Sequence, residues 1–254
     1  MRKHTGIDCL AVNHSQTERE IILGTDPPRA VAKPPTTKLH SGTTVSRKLA
    51  IVCKDNCNGG WMSRLENNVM PILAPMVDGA ARDLNSDDQK MLSRWADKTV
   101  MIMEATSPFS RTSNQADRSR VMDETNPSPA IFTQVWLGQN LARPRNAELR
   151  GHKAFTRGPV GNEGSRSDVF TAGQVLFYVL STTIPSWAHA VPPEVQEFSD
   201  KLVKIWPPTT ATVRWPPPSA FSADNDIVRL RDAFENYAGD AAARRKWPPP
   251  LTSA

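Results

Sequence analysis

The strongest constraint on the fold of this chain is a change in the spacing of its apolar residues. From Trp61 they fall three or four apart, at Leu65, Val69, Leu73 and Met76, and again at Leu92, Trp95, Ala96, Thr99, Val100 and Met103. That is the period of helices with one apolar face. From residue 130 the apolar runs change character: AIFTQVWLG, KAFTRG, VFTAGQVLFYVL, KLVKIW and TVRW are short and rich in β-branched and aromatic residues. They read as strands. The pattern predicts an α+β chain in which a helical region is followed by an antiparallel, strand-rich one.

Local signals set the expected boundaries. Ser86 with Gln89 three residues on reads as a capping box, and Asp87 and Asp88 suit the positive end of a helix dipole, so a helix is expected over about 87–104. Pro71 and Pro75 are expected to end or kink the preceding helix. The polar stretch SPFSRTSNQADRSRVMDETNPSPA reads as a linker or long loop. RKLAIVC, residues 47–53, reads as a strand that delivers Cys53 to a turn, whereas residues before about 45 show no sustained period. Ile227, Leu230, Phe234 and Tyr237 mark one face of a closing helix. The resulting division is 1–108 (cysteine-bearing and helical), 109–129 (linker or long loop), 130–240 (strand-rich with the closing helix) and 241–254 (tail).

Composition sets broad limits. The chain has 254 residues, 39% hydrophobic and 22% charged, enough for a substantial core, and 22 prolines that favour irregular segments. A net charge of +5 permits contact with phosphates without requiring it. Three cysteines and no apolar run after Met1, Arg2 and Lys3 favour neither secretion nor a disulfide framework, which places the chain in the cytoplasm. The longest apolar run, residues 169–180, is interrupted by Thr171, Gly173 and Gln174 and is too short to span a bilayer. It reads as core.

Two of the three cysteines sit in VCKDNCNGGWMSRLE, residues 52–66, where Cys53 and Cys57 have three residues between them and face Gly59 and Gly60. Two thiolates across a glycine-bearing turn are what a zinc knuckle needs, each sulfur about 2.3 Å from the metal. The same spacing also suits two reduced core cysteines at the end of a strand. A closed zinc site takes four ligands, and the others would come from Cys9, His4, His14 or His40.

The stretch VCKDNCNGGWMSRLE, followed by PILAPMV and LSRWADKTVMIME, resembles the C-terminal half of an HNH endonuclease-like module of bacterial and phage proteins. The resemblance covers about residues 38–105, and more loosely DVFTAGQVLF and KIWPPTTATVRWPPP. It implies a partial treble clef in which a strand carries the first knuckle cysteine, Asn-Gly-Trp-Met opens a helix and a tryptophan-bearing helix follows. It further implies structural zinc on Cys53 and Cys57 with Cys9 as a further ligand, and DNA as partner, with Lys48, Lys54 and Arg64 toward its phosphates. For catalysis it implies a divalent metal, His40 as the base and Asn58 as a second catalytic group. The chain departs from the pattern in several places. Its knuckle has one extra residue, Cys9 stands alone in place of an upstream cysteine pair, and no acidic residue precedes a histidine as a pair. After Asn58 the helix offers Ser63, Glu66 and Asn67 but no histidine. Phosphodiester hydrolysis needs an activated water and a cation on the leaving oxygen. The expectation is therefore a nucleic-acid-associated HNH endonuclease-like protein, its N-terminal half degenerate or missing, weak or inactive in hydrolysis.

A second class stays open. IWPP, RWPPP and KWPPP could present preformed extended segments to proline-binding domains, which would make the chain a non-enzymatic structural or protein-interaction module using Trp-Pro-Pro surfaces. The competing reading, favoured for Trp206 and Trp215, is that each ends a strand and the prolines stop edge pairing. For Trp247 the two readings are even. Arg143, Arg145, Arg150, Lys153, Arg157 and Arg166 are interleaved with Glu148, Glu163 and Asp168 and read as a solvated mixed surface. GPVGNEG lacks the Lys-Ser or Lys-Thr of a nucleotide-binding loop and reads as a flexible turn.

Overall fold

The computed structural model describes residues 12–16, 19–22, 29–32, 36–40, 57, 59–105, 112–145, 147–157, 163–189 and 191–243. The first four segments are strands β1 (Val12–Gln16), β2 (Arg19–Ile22), β3 (Arg29–Ala32) and β4 (Thr36–His40). β1 pairs antiparallel with β4, and β2 with β3. The stretch without apolar period thus contains regular backbone pairing. The strand expected over 47–53 lies outside the described residues.

Helix α1 (Trp61–Val77) buries Met62, Leu65, Val69, Ile72, Leu73 and Met76, the face that the spacing predicts. It does not end at either proline: Pro71 and Pro75 both lie inside it. Pro75 has no N–H to give to the carbonyl of Pro71, and the Arg82 side chain supplies the missing donor, Nη1 to Pro71 O at 3.3 Å.

Strand β5 (Arg82–Asn85) runs directly into helix α2 (Ser86–Ala105). The expected box of Ser86 and Gln89 is replaced by a cap one residue earlier, where the Asn85 side-chain oxygen accepts from Asp88 N at 2.9 Å. Gln89 is buried and donates to Leu84 O at 3.0 Å. A strand that ends at Asn85 leaves that residue to satisfy the first helical N–H groups.

The second part of the chain builds an antiparallel sheet. Strands β6 (Thr133–Gln139), β7 (Ala147–Arg157), β8 (Glu163–Ala172), β9 (Val175–Thr182) and β10 (Leu202–Trp206) lie in the order β10-β6-β9-β8-β7. The run 169–180, which reads as one apolar stretch, is divided between β8 and β9 by a two-residue turn with Gly173 at φ 59°. An added Cβ at Gly173 would lie 2.7 Å from the Val77 side chain, and Gln174 N donates to Val77 O at 3.0 Å. The tip of the hairpin is therefore seated on the end of α1. Strand β11 (Thr212–Trp215) pairs with β5 instead of joining the large sheet.

Alternation along the strands gives the sheet two buried faces. Val135, Leu137, Phe170, Phe177, Val179 and Ile205 pack against Leu73, Leu92, Trp95 and Val100 of α1 and α2. The opposite face, with Trp136, Val169, Leu176, Tyr178 and Leu180, is covered by Trp187, Val195, Phe198, Leu230 and Phe234. Those residues come from a 3-10 turn (Pro185–Trp187), helix α4 (Pro193–Glu197) with the residue after it, and helix α5 (Asp224–Ala243). Between the two regions, the stretch that reads as a linker contains helix α3 (Gln115–Met122), with an Asn114–Asp117 capping box and a buried Val121. One core cluster runs from α1 to β11, across the expected boundary at 109–129.

Trp95 is 6% exposed and its ring lies 5.4 Å from that of Phe177 and 5.9 Å from that of Phe170. Trp95→Ala is expected to destabilise the fold by roughly 3–5 kcal/mol, the usual cost of emptying a large aromatic site. Urea unfolding at constant pH measures it.

Candidate functional site

Gly60 caps the N-terminus of α1 without a side chain, and the first turn carries no acidic residue. Met62 N donates to Cys57 O at 3.2 Å and Arg64 N to Gly60 O at 3.1 Å, so the turn that follows Cys57 passes directly into the helix. Cys57 packs with Met62, Ile102 and the partly buried Trp61. It is disulfide-bonded, and its partner lies outside the described residues. This departs from the expectation of reduced cysteines, and a disulfide sulfur offers a metal no thiolate. Among the described residues no group of three or more His, Cys, Asp or Glu side chains is placed to hold a metal ion. Zinc ligation by Cys57 therefore requires the reduced chain.

The other predicted site residues fall as follows. Arg64, expected toward phosphate, makes a two-pronged ion pair with Glu124: Nε to Oε1 at 2.8 Å and Nη2 to Oε2 at 2.6 Å. The hydrogen bond from Arg64 holds the Glu124 carboxyl below its ordinary range. Glu66, one of the helical alternatives for a metal, accepts from Lys98 Nζ at 2.8 Å. His40 ends β4 opposite Val12 in the strand register. Cys9, Lys48, Cys53, Lys54 and Asn58 lie outside the described residues. Of the Trp-Pro-Pro units, Trp206 ends β10 and Trp215 ends β11, each followed by a cis proline. Trp215 is fully buried, so it belongs to the core and not to a recognition surface. Trp247 lies outside the described residues.

The most concentrated polar constellation lies between α2 and β8. Arg166, which reads from the sequence as part of a solvated basic surface, is 0% exposed, as are Asp97 and Asp168, and Glu104 is 1% exposed. Arg166 Nη2 donates to Asp97 at 2.7 Å, its Nη1 donates to Glu104 at 2.9 Å, and its Nε lies 3.5 Å from Asp168. Glu104 also accepts from the backbone N–H and hydroxyl groups of Thr112 and Ser113. Asp97 accepts from Ala130 N at 2.8 Å and Thr133 Oγ1 at 3.3 Å.

The two carboxyls that share Arg166 differ in acidity. Burial pushes Asp97 above its ordinary range against the pull of Arg166. Burial acts the same way on Glu104, but Arg166 and the donors of Thr112 and Ser113 outweigh it and hold Glu104 below its ordinary range. Sequence reasoning missed this cluster because it took charged residues as surface. A signal was available: Asp97 and Glu104 are seven apart, on one face of the helix two turns apart.

The positive charge of the chain is unevenly placed. Residues 1–60 carry nine Lys and Arg against five Asp and Glu, and residues 244–254 carry three basic residues and no acidic one. The stretch between them, 61–243, holds 19 basic and 21 acidic residues. Among the described residues several of its cations are paired with carboxylates, as at Arg64, Lys98, Arg166, Arg214 and Arg229.

Comparison with known protein families, with curated proteins and with solved structures finds no match to this chain.

Because its folded-state pKa is depressed, Glu104 contributes stability above the ordinary glutamate pKa of about 4.3, and that contribution is lost as pH falls through its lower folded value. Glu104→Gln is expected to destabilise by about 3–5 kcal/mol near neutral pH, the cost of breaking a buried ion pair. The deficit relative to the parent should shrink below pH about 4. Urea unfolding of both proteins at neutral and acid pH checks the sign.

Proposed function

We propose that this chain is a nucleic-acid-associated protein of HNH endonuclease-like type, weak or inactive in phosphodiester hydrolysis. The observation that carries the reading is the passage from Cys57 through Gly59 and Gly60 into a helix that opens with Trp61 and Met62, followed by the helix bearing Trp95. This is the order of elements that the resemblance implies. The basic ends of the chain supply the charge for phosphate contact, since the stretch between them is close to neutral. Hydrolysis needs a base and a cation clamp together, and His40 is the one base candidate in the motif region. The treble clef itself, with structural zinc on Cys53 and Cys57, belongs to this proposal and not to the described fold.

Two measurements test it. Duplex DNA should bind weakly at low salt, with affinity falling steeply as salt rises, and added magnesium, manganese or zinc should leave cleavage at background. Absence of low-salt binding overturns the nucleic-acid reading. Metal-dependent nicking that disappears in His40→Ala overturns the inactive reading and makes His40 the base. Separately, freshly reduced protein should carry close to one zinc per chain, lost when Cys53 and Cys57 are both changed to serine. Reduced protein free of zinc leaves them as structural cysteines.

A further inference from the structure

Among the described residues three lysines sit over aromatic rings, and they differ in what receives the charge. Lys98 Nζ lies 5.8 Å from the Trp95 ring centroid and 2.8 Å from Glu66 Oε1. Lys201 Nζ lies 5.6 Å from the ring centroids of Phe198 and Phe221 and 2.5 Å from Asp226 Oδ2. Lys204 Nζ lies 5.2 Å from the Trp136 ring centroid, but its hydrogen bond, 2.8 Å long, goes to the uncharged amide oxygen Oε1 of Gln134. Among the described residues no carboxylate pairs with it.

The sheet puts Lys204 in this position. β10 is an outer strand, and Lys204 stands directly opposite Trp136 of β6 in the register. Gln134, two residues along β6 on the same face, is 3% exposed, and its Nε2 donates to Ala188 O at 3.3 Å. The amide is thereby fixed with its oxygen on the amine. Lys204 itself is half-buried at the edge of the sheet and is not sealed in the core.

We propose that Lys204 is an acylation site, at which its amine takes the acyl group of a small activated thioester. The amine nitrogen attacks the thioester carbonyl carbon, the C–N bond forms as the C–S bond breaks, the thiolate leaves and the proton lost from nitrogen passes to solvent. Two features of the site favour this reaction. The nucleophile is the neutral amine, and an ammonium drawn partly out of water beside an amide loses hydration that no opposite charge replaces. Burial accordingly holds Lys204 below the ordinary lysine range. The product is also accommodated: an acylated lysine keeps one N–H, which can still donate to Gln134 Oε1. Acylation of Lys98 or Lys201 would instead take the cation away from Glu66 or Asp226.

The test incubates the full chain with the acetyl thioester of N-acetylcysteamine at neutral pH and follows the initial acetylation rate of each lysine by tandem mass spectrometry. Lys201, which is also half-buried and set over aromatic rings, is the internal control. Lys204 is expected to acetylate several times faster than Lys201, and an equal or slower rate at Lys204 overturns the proposal. Gln134→Glu places a carboxylate on the amine and favours the ammonium. In this variant the Lys204 rate is expected to fall to that of Lys201 while the other lysines keep theirs, a change that general loosening of the fold would not produce. An unchanged Lys204 rate in a variant that keeps the parental thermal midpoint also overturns the proposal. If the variant does not fold, the ranking of Lys204 against Lys201 in the parent decides.

Discussion

Arg166 is the interaction on which the arrangement of the fold depends. Its guanidinium is removed from water between a helix and a sheet, where an uncompensated charge would cost several kcal/mol. Asp97 and Glu104 supply the compensation from α2, and Asp168 supplies it from β8 itself. Glu104 extends the network to Thr112 and Ser113, while Asp97 extends it to Ala130 and Thr133. The stretch from Thr112 to Ala130 is thereby tied down at both ends by two carboxylates of one helix. A one-residue slip of β8 would turn Arg166 to the opposite face and leave both α2 carboxylates buried without their cation. Hydrophobic packing alone is tolerant of such errors; this cluster is not.

Helices α1 and α2 are consequently not a free-standing unit. Small metal-centred modules lack a large core and gain their stability from the ion. Here α1 and α2 instead bury Leu73, Leu92, Trp95 and Val100 against the five-stranded sheet, and the β8–β9 turn is seated on the end of α1. These two helices thus have a source of order in the core that does not depend on a metal. The two helices and the strand-rich region share one core, and the stretch read as a linker or long loop contains helix α3.

Charge placement bears on function in the same way. Within 61–243 acidic residues slightly outnumber basic ones, and several of the basic side chains are bound by carboxylates, so that stretch presents little net attraction to a polyanion. The surplus sits before residue 61 and after residue 243. Under the proposed function the stretch 61–243 is a scaffold, and the basic residues before and after it supply the phosphate contacts.

The sequence by itself determined the α+β class, the two apolar helix faces and the positions of strands β6, β10 and β11, because these follow from local period and propensity. It also marked Trp206 and Trp215 as strand ends. Tertiary structure decided the rest. Pro71 and Pro75 remain within a helix because Arg82, eleven residues from the first of them, takes up the freed carbonyl. The run 169–180 became two strands because a turn at Gly173 could dock on Val77. Arg166 and Asp168 read from the sequence as part of a solvated surface, and the burial of Arg166 depends on Glu104 and Asp97, 62 and 69 positions away in the chain. A local pattern records which face of an element is apolar; it does not record which distant charge will make burying a polar residue affordable, since that compensation exists only once the elements have met.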